Sequence, residues 1–195
     1  KQKERLAEKK MHQHFGWQES TGGTDFLLGD KLYRPSLGAT EVLLKGGAKK
    51  RGKDLVVCGS YDRWKEIIDR AYNHPGLESL QFLVMCGFAA PLFSLFGDLG
   101  GTTVYAYSGK TGKGKTTACQ AALSAWGNWR GLMMSHERVT VNAFWSIIGT
   151  YHNLPVLYDE LTNMEPHDVS QLVFGMTDGQ PKQRLGDGHH TVEEK

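Results

Sequence analysis

The sequence predicts an α/β fold: a core of alternating strands and helices, preceded by a small β-rich module. Three observations predict it. A glycine-rich loop, Gly109 to Thr117 (GKTGKGKTT), lies between an apolar run that reads as a buried strand, Thr102 to Tyr107, and an Ala-rich stretch of helical composition, Thr117 to Trp126. A second apolar run, Leu154 to Tyr158, ends in the adjacent acids Asp159 and Glu160, and one strand-like and one helix-like segment separate it from the first. Upstream, short β-like pieces divided by turn signals occupy Phe15 to Cys58.

Taken in order, Lys1 to Lys10 reads as a solvated, helix-favouring linker. Asp25 to Leu28 and Lys31 to Tyr33 flank Gly29-Asp30, a two-residue hairpin turn. Glu41 to Leu44 and Asp54 to Cys58 are two further strand candidates around the basic loop Lys45 to Lys53 (KGGAKKRGK). That loop is either a solvated hairpin tip or a phosphate grip for single-stranded nucleic acid through Lys49, Lys50 and Arg51. Ser60 caps a helix over Tyr61 to Asn73 with Trp64, Ile67, Ile68 and Ala71 on its apolar face, and Trp64 is read as a core residue. His74-Pro75-Gly76 ends it, dividing residues 1–75, the linker and β-rich module, from the core of residues 76–195.

Leu80 to Phe96 is apolar apart from Gln81 and Ser94, but it is short for a membrane span and interrupted by Pro91, so a kinked core helix packed on the central sheet is expected. Gly131 to Met134 reads as a short strand, and Thr140 begins an amphipathic helix through about Tyr151 with Phe144, Ile147 and Ile148 inward. Glu165 to Thr177 reads as a helix with Pro166 in its first turn and Val169, Leu172 and Val173 inward. Gln180 to Leu185 is extended, with Lys182 and Arg184 on one face; these are either a solvated edge or a contact to DNA or a neighbour's nucleotide.

The glycine-rich loop carries the chemistry. It fits G-x-x-x-x-G-K-[ST] at Gly109, Gly114, Lys115 and Thr116 in the required strand–loop–helix setting. Several backbone N–H groups must wrap a polyphosphate at once, so glycines at Gly109, Gly112 and Gly114 let the main chain approach closely. The cradle runs over Gly109, Lys110, Thr111, Gly112, Lys113, Gly114, Lys115, Thr116 and Thr117, with the helix N-terminus adding positive potential. Lys115 is the expected contact to the β- and γ-phosphates of ATP, and the Thr116 hydroxyl a ligand to Mg²⁺. An acid at the carboxyl edge of a sheet belongs beside such a loop, so Asp159 is expected to hold Mg²⁺ through water and Glu160 to activate the attacking water. The strand between the motifs suggests a sheet with a strand inserted between the two motif strands, as in ATPases that do mechanical work.

Bulk properties restrict the setting. A formal charge of +2 gives no global basic field for nucleic acid. Cys58, Cys86 and Cys119 lack any C-x-x-C spacing and read as reduced, buried structural thiols of a cytoplasmic protein. No apolar leader follows the charged start, and no membrane partner is expected. A chain without an initial Met is expected to be a piece of a longer protein.

With these residues placed, the chain resembles the phage- and mobile-element-encoded P-loop proteins known as the domain of unknown function 927. These are often fused to primases and are similar to superfamily 3 hexameric replicative helicases. The resemblance rests on FGW at Phe15 to Trp17, GSYDRW at Gly59 to Trp64, GFAAPL at Gly87 to Leu92, YSGKTGKGKTT, ALSAWGN at Ala122 to Asn128, VTVNAF, LPVLYDELT and DGQPKQRL, in that order. It implies a P-loop NTPase core of the AAA+/superfamily 3 helicase-like kind, with Lys115 and Thr116 on nucleotide and Mg²⁺ and Asp159–Glu160 as the acidic pair. Lys110 and Lys113 stand where small or polar residues are common in the family. The expectation is an ATP-hydrolysing DNA helicase or translocase motor of a replication protein. It would work as a ring oligomer, a hexamer by the resemblance, on single-stranded or forked DNA, beside a primase or polymerase domain. The alternatives are an ATPase of a defence or transposition system that does not unwind, and a nucleotide-gated assembly or loader module.

Overall fold

The structure, a computed structural model, describes residues 11–19, 24–96, 101–135, 139–159, 164–178, 184–185 and 191–192. The expected linker helix Lys1 to Lys10 lies outside them. Among the described residues the architecture is mixed α/β, with seven α-helices and several small sheets.

The N-terminal part begins with β1 (Met11–His12), β2 (Gly16–Trp17), β3 (Phe26–Leu28), β4 (Lys31–Arg34), β5 (Gly38–Glu41) and β6 (Leu43–Leu44). Strands β2 to β5 form an antiparallel meander, and β1 pairs in parallel with β6. The predicted hairpin is present, with Leu28 opposite Lys31 and Gly29 at φ 60°, a left-handed conformation that glycine adopts without strain. Leu27 and Leu32 face each other across it and are buried. On the same meander Asp25 pairs with Arg34 at 3.1 Å.

The basic stretch after β6 is a helix, which corrects the expected hairpin tip. Lys45 N donates to His12 O at 2.9 Å, Gly46 turns the chain at φ 58°, and α1 (Gly46–Arg51) leads into a 3-10 turn, Gly52–Leu55. Buried Ala48 and Leu55 tie both pieces into the core, and Ala, Lys and Arg are good helix formers once anchored. Asp54 to Cys58 is accordingly no strand: Leu55 is seated in the core and Asp54 O accepts Asn128 N at 2.7 Å, so no ladder forms.

Helix α2 (Tyr61–Tyr72) is capped as predicted, Ser60 Oγ accepting Arg63 N. Its inward face is Trp64, Ile68 and Tyr72, spaced four apart; Ile67 and Ala71 are exposed, a correction to the predicted face. Helix α3 (Glu78–Ala89) continues as a 3-10 segment, Ala90–Phe96, which matches the expected distortion around Pro91. Only the 3-10 continuation meets a sheet, where Trp17 of β2 reaches Pro91; the helix itself packs on another helix. Its neighbour is α4 (Lys115–Ser124): Leu80 lies beside Gly114 and Gly87 beside Ala122, so the two helices run parallel. A Cβ on Gly87 would stand 2.8 Å from Ala122 Cβ, which is how closely the backbones approach. Phe82 and Met85 of α3 and Leu92 and Leu95 of the 3-10 segment are exposed. By length and composition the stretch Glu78–Phe96 is the one helix among the described residues apolar enough to cross a membrane.

After α4 come α5 (Trp129–Leu132), β7 (Met133–Ser135), α6 (Val141–Tyr151), β8 (Leu157–Asp159), α7 (Pro166–Asp178), β9 (Arg184–Leu185) and β10 (Thr191–Val192). Helix α6 follows its prediction: Thr140 Oγ1 accepts Ala143 N, Phe144 and Ile147 are buried and Ile148 is half-buried against the core; Tyr151 is buried as well. Helix α7 buries Leu172 as expected. Strand β7 pairs directly with β8 in parallel, placing Ser135 opposite Asp159.

The expected strand Thr102 to Tyr107 is not formed. Its residues carry no ladder, and Val104, Tyr105 and Tyr107 are 42, 62 and 76 % exposed. Aromatic and β-branched composition favours a pleated surface, but a strand exists only where another supplies hydrogen bonds. Among the described residues β8's partner is β7, and Thr102–Tyr107 joins no sheet.

The main core crosses the predicted boundary at residue 75. Phe15, Leu27, Leu32, Ala48 and Leu55 pack with Leu123, Leu132, Met134, Phe144 and Tyr151. Three indole N–H groups reinforce it across long sequence distances. Trp17 Nε1 donates to Pro91 O at 2.8 Å, Trp126 Nε1 to Gly87 O at 2.8 Å, and Trp64 Nε1 to Ser124 Oγ at 2.9 Å. Trp64 also meets Phe88 edge-on, which supports its reading as a packing residue.

Candidate functional site

Helix α4 begins at Lys115 because Gly114, at φ 81°, turns the loop into it from the left-handed region. A side chain would be strained there, whereas Gly114 lets the chain leave the loop and immediately offer helical N–H groups. Upstream, Ser108 Oγ accepts Lys110 N at 3.2 Å and donates to Lys110 O at 3.0 Å, which closes the first turn of the loop. Gly109 to Lys113 and Thr116 and Thr117 are exposed, and Lys115 is half-buried. A Cβ on Gly109 or Gly112 would meet nothing within 4 Å, so the space a ligand would occupy is open. With no side-chain cap at Gly114, the first amides of α4 face that space together with the positive end of the helix dipole.

The second half of the site comes from the β7–β8 sheet. Asp159 is the last residue of β8, at its carboxyl end, half-buried. Helix α4 packs against β8, and Asp159 acts electrostatically on Cys119 of α4. Burial first, then Asp159 and Cys86, pushes the Cys119 thiol up from its ordinary value of 9.0. Thr116 lies one helical turn before Cys119 on α4. The preceding Tyr158 ring meets Phe144 edge-on at 5.0 Å, which fixes the strand against α6. A threonine hydroxyl and a carboxylate are hard oxygen donors. They suit Mg²⁺, which keeps several waters and takes its remaining ligands from substrate phosphates. Among the described residues no group of three or more His, Cys, Asp or Glu could hold a metal alone.

Lys115 and Thr116 thus open α4, and Asp159 ends β8, the strand on which α4 packs. Glu160 lies outside the described residues, as does Lys182. Arg184 is in β9, opposite Val192 of β10. The predicted nucleic-acid residues on α1 divide. Lys49 and Lys50 are exposed, whereas the Arg51 guanidinium lies 5.5 Å from the centre of the Tyr151 ring, whose hydroxyl donates to Gly131 O at 2.7 Å. Arg51 therefore braces α1 on the end of α6, a role hidden in a sequence that shows only a run of positive charge. Cys58 is exposed and Cys86 and Cys119 half-buried, which corrects the expectation of buried thiols; all three are free.

A groove of about 450 Å³ adjoins the loop, between the start of α3 and residues 104–107, with Lys115 in its wall. Sequence reasoning missed it because it took Tyr105 and Tyr107 for buried strand residues. The family model described as a domain of unknown function, DUF927, matches residues 1–190. No curated protein and no solved structure matches the chain.

Proposed function

Starting from a chain that belongs to the DUF927 family, whose description states no activity, we propose that it binds and hydrolyses ATP as the motor domain of a phage or mobile-element replication protein that works on DNA. One observation carries the reading: a Gly-Lys-Thr loop whose left-handed Gly114 opens directly into the N-terminus of α4, with the sheet-edge acid Asp159 beside the same helix. Backbone amides of Gly109 to Thr117 bind the polyphosphate, and Lys115 neutralises charge on its terminal groups. Thr116 and Asp159 orient the hard cation that accompanies ATP; Mg²⁺, when bound, withdraws charge from the β- and γ-phosphates. Glu160, next in sequence after Asp159, takes the proton of the attacking water.

The P-loop core and DNA work draw support from the order of family-like segments. Exposed Lys49 and Lys50 supply local positive charge for a phosphate backbone. Phosphate release stimulated by single-stranded DNA, abolished in Lys115→Ala and Glu160→Gln, and unwinding of forked DNA are the expected results. Turnover that ignores DNA and leaves forks intact would refute the helicase role and leave the ATPase standing. Absence of turnover with ATP-dependent assembly would favour a loader module instead.

A further inference from the structure

The open groove beside the phosphate loop has a wall of unusual character. Phe82 on α3 is 60 % exposed, and Tyr105 and Tyr107, two residues apart in sequence, stack at 6.3 Å and 22° with most of their surface in solvent. Aromatic rings left in water beside one another and against a cavity are surfaces awaiting a flat apolar ligand. Lys115 lines the same groove, and Leu80, also in its wall, touches the Gly114 position from which α4 starts. The groove is therefore continuous with the phosphate loop. A ligand anchored by its phosphates on Lys115 and the first amides of α4 would have its uncharged end within reach of these rings. Glu78, whose Oε1 accepts Gly76 N at 2.9 Å, adds a carboxylate to the wall. It repels phosphate and tolerates a neutral group that carries N–H or O–H donors.

We propose that this groove holds the nucleoside moiety of the triphosphate, with the base stacked on Tyr105, Tyr107 and Phe82. The inference rests on the phosphate-loop reading above and adds a second, separable binding element. The volume accommodates a base and ribose with room for water, which agrees with an open cleft that lets product leave.

The test compares binding of ATP and of inorganic tripolyphosphate, each with Mg²⁺, by calorimetry on the intact chain and on Phe82→Ala, Tyr107→Ala, Tyr107→Phe and Lys115→Ala. Wild-type chain should bind ATP more tightly than tripolyphosphate. Phe82→Ala and Tyr107→Ala should each weaken ATP by about 5- to 100-fold, the range of one base–aromatic stack, and leave tripolyphosphate unchanged. Tyr107→Phe should retain ATP affinity, and Lys115→Ala should weaken both ligands. Both truncated rings are mostly in solvent, so thermal unfolding should stay at wild type; if one variant misfolds, the other carries the comparison. Equal wild-type affinities for the two ligands, or aromatic variants that weaken both alike, overturn the groove assignment while the phosphate loop stands. Failure of the wild-type chain to bind either ligand overturns both readings together.

Discussion

Replacing Gly114 with alanine isolates the backbone geometry on which the site depends. At φ 81° an L-residue with a Cβ sits in the left-handed region, at a cost of about 1–2 kcal/mol. Nothing in the surroundings adds to that, since the nearest atom to the new Cβ is Leu80 Cδ1 at 3.5 Å, an ordinary contact. Alanine restricts the unfolded chain more than glycine does, which returns about 0.4–1 kcal/mol. The net loss is about 1 kcal/mol, which for a chain of this size lowers Tm by about 2–4 °C. Gly109→Ala is the internal control. Its Cβ meets nothing within 4 Å, and its φ is not among the positive values, so its unfolding midpoint should stay at or slightly above wild type. Thermal unfolding followed by circular dichroism without nucleotide reads both. With ATP and Mg²⁺ added, wild type should be stabilised, and Gly109→Ala, harmless alone, should lose that gain because its methyl occupies the space the phosphates approach. An unchanged midpoint in Gly114→Ala, or equal losses in both variants, would refute the reasoning.

Other perturbations test the scaffold. Phe144, 1 % exposed, joins α6 to β8, and Phe144→Ala should cost about 3–5 kcal/mol in denaturant unfolding. Arg51→Ala should lower stability by about 1 kcal/mol through loss of its packing on Tyr151, whereas Lys49→Ala and Lys50→Ala should leave stability unchanged and weaken single-stranded DNA binding in a salt-dependent filter assay. The Tyr158 hydroxyl is buried without a hydrogen-bond partner among the described residues, so Tyr158→Phe should be neutral or stabilising in the same melts. Burial raises the Cys86 and Cys119 thiols above 9.0, so the unfolded chain releases those protons first; stability is fully present below about pH 8.5 and declines as pH rises toward the folded values. Unfolding midpoints between pH 7.5 and 10, compared with a Cys86→Ala/Cys119→Ala variant, should show a shallower decline in the variant. Cys58, exposed, should alkylate before either of the other thiols.

Local chemistry was legible wherever a residue's role depends on its near neighbours. The Gly29-Asp30 hairpin, the caps Ser60 and Thr140, the helix leaving the glycine-rich loop and the short strand ending in Asp159 all follow from spacing and side-chain type, because turns and caps are satisfied within a few residues. Periodicity misassigned α2's buried face, since the partner helices and not the helix itself choose between Ile67 and Tyr72.

What the tertiary structure alone decided concerns partners distant in sequence. Strand character in Thr102–Tyr107 depended on a neighbouring ladder that no composition encodes, and its absence turned two presumed core tyrosines into the wall of a groove. The basic run became a helix because Ala48 and Leu55 found a core built largely from residues beyond 120, and Arg51 found Tyr151 across one hundred positions. By itself the sequence determined that Gly109 to Thr117 leads into a helix N-terminus and that Asp159 ends a strand. Only the packing of α4 on β8 set that acid beside the helix, because burial of apolar faces, not spacing along the chain, chooses which elements meet.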